Sequence, residues 1–146
     1  MKNLFDDSSR QEIINRINKL SSDSKPLWGK MSVAQMLAHI IITMELALEN
    51  PKPPRAFMGR IFGGMVRKKL LSSEPFKKNG FTPKQLRVDS PQDFNNQKEK
   101  ILSLTNKFQK GAITDMVHPF FGNMTEEEWG RLQYKHIDHH LQQFGV

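Results

Sequence analysis

The sequence lacks cysteine altogether, and it has no hydrophobic run that approaches the roughly 20 residues needed to span a bilayer. The absence of cysteine excludes disulfides, thiolate metal ligands and a cysteine nucleophile. Any thiol chemistry would therefore require a bound partner molecule. Strand signals are also weak, because alternation of apolar and polar residues never continues beyond a few positions. The weak strand signals favour an all-α protein.

The 146 residues fit a single domain, residues 1–146, which is long enough to bury about two thirds of its unfolded surface. With 37% hydrophobic and 25% charged residues, the composition is typical of a soluble protein. The N-terminal residues contain no apolar h-region and no cleavage site. We therefore expect a cytoplasmic protein with no membrane partner. Phosphate loops, nucleophile elbows, dinucleotide fingerprints and HExxH motifs are absent, which argues against those mechanisms.

Positive charge is concentrated in the middle of the chain. Residues 52–87 contain ten basic residues and one acidic residue, so this segment has a net charge of +9. The rest of the chain has a net charge of −2, which gives the total of +7. Such a segment could meet an anionic ligand, a nucleic acid or an acidic partner surface. Aromatic residues interleave with the charges, but the Gly63-Gly64 pair and the apolar neighbours suggest packing. The support for a nucleic-acid partner is therefore thin.

Four helix starts are predicted from N-capping patterns. In such a pattern a small polar side chain accepts from an unpaired backbone N–H of the first helical turn, and the side chain three positions later accepts from the backbone N–H of the N-cap residue. The second predicted helix runs to about Glu49, and the third and fourth are predicted to be capped by Gly111 and Gly145. The predicted N-caps and partners are Ser8 with Gln11, Ser32 with Gln35, Ser90 with Asp93, and Thr125 with Glu128.

About forty residues separate the second and third predicted helices, which is too long for a bare loop in a compact domain. Within this crossover, residues 56–71 could form a short basic helix interrupted at Gly63-Gly64. The expected architecture is an all-α four-helix bundle with a long crossover between helices 2 and 3.

The last predicted helix, residues 125–144, carries three of the five histidines. On a helical wheel, His136 and His140 fall inside the apolar arc, whereas His139 falls at its polar edge. His136 and His140 are one turn apart, with Cβ atoms roughly 5–6 Å from each other, so they could share one metal ion. They could equally be polar residues at the edge of the core, hydrogen-bonded to their neighbours.

Gln35, His39 and Thr43 repeat at four-residue spacing and form a polar stripe on the second helix. This stripe could face solvent, extended by Glu45 and Glu49, which could supply a general base but whose wheel positions favour solvent. Alternatively, the stripe faces an interior cavity. In that case His39 could complete a three-histidine site with the last helix and leave a fourth position open for water or substrate, as in catalytic zinc sites.

Two blocks that cover about a third of the chain carry a family resemblance. The first is residues 27–39, LWGKMSVAQMLAH. The second is residues 118–122, HPFFG, together with the last predicted helix that follows it, residues 125–144. Residues 136–143, HIDHHLQQ, resemble the HxxHHxxQ block of the DinB-like superfamily. The chain resembles that superfamily, and more closely its uncharacterised branch, the DUF1569 family.

This resemblance implies an antiparallel four-helix bundle that holds a divalent metal, often zinc or nickel. Carried over position by position, the metal ligands would be His39, His136 and His140. DinB-like relatives include transferases that join a low-molecular-weight thiol to an electrophile, and isomerases that use the same thiols. We therefore expect a metal-dependent enzyme, a thiol transferase or hydrolase, that activates a small thiol or water and takes a small-molecule substrate.

Two other function classes remain open: a non-catalytic bundle used for interaction, and a nucleic-acid-binding protein. The nearly all-apolar perimeter of the second helix also leaves room for a homodimer interface. Gln143 lies on the face of His136 and His140, where it could support a ligand, touch substrate or pack at the core edge. We expect His118 to form a hydrogen bond that fixes its connection, with a substrate contact as the alternative, and Trp129 to belong to the core.

Overall fold

The computed structural model describes residues 2–146. The described chain is mostly helical, with five α-helices, one short 3-10 helix at Lys84–Leu86 and one two-stranded antiparallel hairpin. The helices are α1 (Asp7–Asn18), α2 (Val33–Leu48), α3 (Phe57–Leu70), α4 (Phe94–Lys107) and α5 (Glu126–Gln143). The strands are β1 (Val117–His118) and β2 (Gly122–Asn123).

Helices α1 and α2 each pack against both α4 and α5, so these four helices enclose the hydrophobic core. The expected helical bundle is therefore present, with α4 and α5 as the third and fourth predicted helices. The described chain has one α-helix more than capping predicts, because α3 lies in the crossover, where residues 56–71 were expected to be able to form a short helix, and it packs against β2. In the span from residue 2 to residue 146, no helix combines the length and apolarity that crossing a membrane requires.

Two of the four predicted N-caps are confirmed as capping boxes. The Ser32 hydroxyl accepts from the backbone N–H of Gln35, and the Thr125 hydroxyl accepts from that of Glu128. In return, the side chains of Gln35 and Glu128 accept from the backbone N–H groups of Ser32 and Thr125. Gly145, at φ +75°, follows α5 as predicted, and its N–H donates to the Gln142 carbonyl.

The other two predicted caps are wrong. Helix α1 begins two residues earlier than an N-cap at Ser8 would place it, because the N–H of Arg10 already donates to the carbonyl of Asp6, which is the N-cap. Helix α4 begins at Phe94, with the Asp93 carboxylate accepting from Asn96 N at 2.8 Å. Ser90 does not start that helix, because its carbonyl accepts from the Gln35 side chain at 3.3 Å and holds this segment against α2.

The predicted C-cap of α4 is also displaced. The helix ends at Lys107 with Phe108 as the C-cap, and Gly111, at φ +82°, lies in the loop beyond. Phe108 is fully buried, so core packing ends the helix before the glycine is reached.

Helix α3 runs without a break through Gly63-Gly64, so the predicted interruption is wrong. A Cβ atom on Gly59 or Gly63 would lie 2.5 or 2.1 Å from the carbonyl oxygen of Phe120 in the hairpin turn. The two glycines therefore serve close packing of α3 against the hairpin rather than a change of direction. This contact fixes which side of α3 faces the protein.

Candidate metal centre

Three imidazole rings meet where α2 packs against α5. His39 comes from α2, and His136 and His140 come from α5, with ring centroids 4.8–4.9 Å apart in each pair. One nitrogen of each ring lies within 4.8 Å of the other two, which is close enough for all three to hold one metal ion. His39 is only 5% exposed, so the polar stripe of α2 faces the interior and not solvent.

Each ring is oriented by a hydrogen bond at its Nδ1 atom. His39 Nδ1 lies 2.7 Å from the Leu86 carbonyl oxygen, and His140 Nδ1 lies 2.8 Å from Gln143 Oε1. Because these oxygens only accept, both Nδ1 atoms carry the hydrogen. The amide of Gln143 is fixed in turn, since its Nε2 donates to the Trp28 carbonyl at 2.7 Å.

The third ring follows the same pattern through a hydroxyl. The Thr43 hydroxyl donates to the Ile40 carbonyl at 2.8 Å, and His136 Nδ1 lies 3.1 Å from the same oxygen. With its own hydrogen already committed, Thr43 Oγ1 accepts from His136 Nδ1. The side chain of Gln133, also buried, donates to the Thr43 carbonyl at 3.0 Å and ties this part of α2 to α5.

All three neutral rings consequently point an Nε2 lone pair at the others. His39 Nε2 and His136 Nε2 are 3.0 Å apart, a distance at which two lone pairs repel unless a cation or proton lies with them. Neutral imidazole nitrogens are good ligands for zinc and nickel. A histidine that binds a metal through one ring nitrogen usually donates the N–H of the other to a carbonyl or side-chain oxygen, which fixes the orientation of the ring. The residues present therefore fit a divalent metal ion.

The electrostatic environment keeps the rings neutral, which is the form that binds metal. Burial lowers the pKa of His39 and lowers that of His140 to about 3, although the hydrogen bond to Gln143 opposes the second shift. Burial also holds the pKa of His136 well below its usual value, and repulsion from neighbouring imidazolium charges adds to this effect.

A family model described as a protein of unknown function, DUF1569, matches residues 3–145, nearly the whole chain. The chain belongs to the DUF1569 family. Neither a comparison with curated proteins nor one with solved structures found a match. The function of this DUF1569 chain must therefore be argued from its own side chains.

His139 lies outside the three-histidine cluster, as its position on the wheel predicted. Its ring is half-buried between those of Trp28 and Phe76, with centroids 5.8 and 5.7 Å away. Asp138 is engaged by Arg16, whose Nη1 donates to its carboxylate at 2.6 Å. The DUF1569 sequence thus places four histidines and one aspartate near each other, and packing selects three of them.

The three supports of the rings differ in how visible they are in the sequence. Ligand support is one of several roles that the sequence allows for Gln143, and Thr43 belongs to the polar stripe without a predicted role. The Leu86 carbonyl gave no signal, since it is a backbone atom brought to His39 by the crossover. Only the four-residue spacing of the stripe could have suggested Thr43.

His118, which belongs to β1 of the hairpin, lies next to Trp129 of α5, with ring centroids 5.0 Å apart. His118 Nδ1 accepts from the backbone N–H groups of Phe120 and Phe121 at 3.0 and 3.1 Å, which confirms the predicted role of fixing this connection. Trp129 is fully buried in the core, as predicted. Burial, followed by the positive charges of Lys52 and Arg55, lowers the pKa of His118 to about 4.

A wide cleft of about 2220 Å³ lies between α2, α3, the crossover and the hairpin, and the three histidines of the cluster line it. Its wall is mostly apolar, and Glu45 and Glu49 lie exposed at its edge, as their wheel positions predicted. The cleft gives a small molecule access to the cluster. The aromatic side chains of its wall are Trp28, Phe57, Phe76, Phe81, Phe120 and Phe121.

Proposed function

We propose that this DUF1569 protein is a divalent-metal-dependent enzyme that binds zinc or nickel through His39, His136 and His140 and activates a small thiol or water. The observation that carries the proposal is the convergence of three Nε2 atoms whose rings are all fixed through Nδ1. Three protein ligands leave one position for a small molecule, which is typical of catalytic rather than structural zinc. The DinB-like fold, an antiparallel bundle, belongs to the same proposal.

The ligand set determines what the site can stabilise. Among residues 2–146, the cluster contains no carboxylate, so the protein ligands are neutral and leave the charge of the ion uncompensated. A divalent ion held there supplies a Lewis acid that lowers the pKa of a coordinated thiol or water. Because the chain has no cysteine, any thiol must be a cosubstrate.

The surrounding residues position and shield the reacting groups. Leu86, Thr43 and Gln143 hold the three rings in place, so the site is preorganised and little rearrangement is needed when a ligand enters. The mostly apolar wall of the cleft offers few hydrogen-bonding groups around the cluster. Such a wall also suits an electrophile with an apolar body, as in thiol-transfer reactions.

The absence of cysteine makes a direct test possible. Cobalt-substituted protein would be titrated with a small monothiol such as 2-mercaptoethanol while its absorption spectrum is recorded. A sulfur-to-cobalt charge-transfer band can arise only from the added thiol, so we expect a saturable band in the wild type and none in His39→Ala. If cobalt binds but no band develops, thiol activation is wrong. If cobalt does not bind, the metal site itself is wrong.

A further inference from the structure

Helix α3 turns a continuous apolar face toward solvent. The five side chains of this face fall within an arc of about 140° at about 100° per residue. Gly59 and Gly63 lie on the opposite side, against the hairpin, so the packing that anchors α3 also directs the apolar face outward. The exposed fractions are 74% for Phe57, 53% for Met58, 58% for Ile61, 42% for Phe62 and 68% for Met65.

This exposure differs from what the sequence suggested, namely that the apolar residues of the basic segment pack inside the protein. Single exposed apolar residues are common on protein surfaces and need no explanation. Five large ones on a single helical face form a contiguous patch, which on a folded protein marks an interaction site. Helix α3 is anchored by its glycine side, so its packing against the protein does not require these side chains, and two of them, Phe57 and Met58, also line the cleft.

The charges next to this face are all of one sign. Arg60, Lys68 and Lys69 are exposed, and α3 contains no acidic residue. Arg67 is already engaged, since it donates to the Asn123 carbonyl and lies 3.8 Å from Glu128. Exposed Phe, Ile and Met side chains bordered by long basic ones are typical of helices that lie in the surface of an anionic bilayer.

A second copy of the chain fits the patch less well. Symmetric pairing of two α3 faces would place Lys68 and Lys69 next to those of the other copy if the helices run parallel, or over its apolar residues if they run antiparallel. In neither case does α3 offer an acidic residue to compensate. An anionic bilayer satisfies both parts of the surface. Its acyl chains accept the apolar side chains, and its phosphates attract the basic ones.

We propose that α3 docks this protein onto the surface of an anionic membrane, with Phe57, Ile61 and Met65 inserted between lipids. The helix lies on the bilayer and does not cross it. The proposal replaces the sequence-based expectation of no membrane partner, and it does not require metal binding, because α3 contributes none of the three histidines.

Cosedimentation with phosphatidylcholine vesicles, with and without phosphatidylglycerol, tests the proposal on the full chain. We expect binding to the vesicles that contain phosphatidylglycerol, and much weaker binding to phosphatidylcholine alone. Ile61→Ser/Met65→Ser should weaken binding at least about tenfold through lost apolar insertion, and Lys68→Glu/Lys69→Glu at least about tenfold through lost charge attraction. All four residues are exposed, so the variants should fold, which circular dichroism would check.

The control is Lys19→Glu/Lys25→Glu, which makes the same charge change at two exposed lysines outside α3. It should retain most of the binding. The proposal is overturned if the wild type ignores phosphatidylglycerol, or if the control loses as much affinity as the α3 variants. A dimer in light scattering that Ile61→Ser/Met65→Ser dissociates would assign the face to a second copy. DNA binding that depends on the lysines alone would assign those residues to nucleic acid.

Discussion

Gln143 Oε1 accepts from His140 Nδ1 at 2.8 Å, while the Nε2 of the same amide donates to the Trp28 carbonyl at 2.7 Å. The loop before α2 thus fixes the side chain that fixes a ring of the metal centre. Gly29 permits this contact, since a Cβ there would lie 2.6 Å from Gln143 Nε2. The two blocks of sequence that carry the family resemblance therefore meet physically at this amide.

Replacement of this amide should weaken metal binding without removing a ligand. Gln143→Leu leaves His140 Nδ1 without its acceptor, so we expect the affinity for zinc to fall about 10- to 100-fold. Competition with a chromophoric chelator would measure this change. Gln142→Leu is the matched control, because Gln142 is exposed and its side chain donates to Asp138. Equal affinity of the two variants would show that Gln143 does not orient the ring.

The Thr43 hydroxyl should matter for the same reason at His136. Thr43→Val keeps the shape but removes the oxygen that accepts from His136 Nδ1, so a buried N–H loses its partner. We expect a loss of about 1–3 kcal/mol in the free energy of unfolding of the metal-free protein, measured by urea denaturation. Thr43→Ser retains the hydroxyl and should stay close to the wild type. A Val variant as stable as the Ser variant would contradict this role.

Replacing Gly63 and Gly64 of α3 with alanine should change the free energy of unfolding in opposite directions. Gly63→Ala would place a Cβ 2.1 Å from the Phe120 carbonyl oxygen and should destabilise the protein by about 1–3 kcal/mol. Among residues 2–146, a Cβ on Gly64 would meet no atom within 4 Å apart from its chain neighbours and the backbone of its own helix, so Gly64→Ala should stabilise the helix by up to about 1 kcal/mol. Urea denaturation of both variants measures the difference, and a shared sign would refute the proposed packing.

Stability should fall in acid partly because of His118. Its folded-state pKa of about 4 lies below the unfolded value of about 6.5, so the unfolded state binds the proton first as the pH drops. The contribution of neutral His118 to the free energy of unfolding is fully present above pH 6.5 and is lost progressively toward pH 4. At pH 5 the loss is on the order of 2 kcal/mol.

His118→Asn isolates this contribution, because the amide oxygen can still accept from the N–H groups of Phe120 and Phe121 but does not titrate. Urea denaturation between pH 7 and pH 5 should therefore show a smaller loss of stability in the variant than in the wild type. Parallel losses in the two proteins would show that His118 does not titrate in this range.

The local parts of the site were predictable from the sequence, and the parts made by distant contacts were not. Helical spacing alone placed His136 and His140 on one face, because both lie on the same helix one turn apart. His39 could face solvent or the interior until the crossover was placed over α2. The Leu86 carbonyl reaches His39 across 47 positions of sequence and leaves no pattern in either segment.

The same distinction explains the errors in the fold. Gly63-Gly64 indicates a break when only local propensity is considered, but the hairpin contact at Phe120 gives Gly63 a reason to remain inside a helix. Ser90 has the right chemistry for an N-cap, yet its carbonyl is held by Gln35, which lies 55 positions earlier. In both cases a tertiary contact overrides a local preference.

The metal content of protein purified without a histidine tag, measured by elemental mass spectrometry, tests the central claim most directly. The account predicts close to one equivalent of a divalent metal in the wild type and in His139→Ala, whose ring lies outside the cluster, and a loss of metal in His39→Ala and in His136→Ala. Metal that survives both ligand substitutions, or a wild type that stays metal-free after zinc and nickel are supplied, would contradict it.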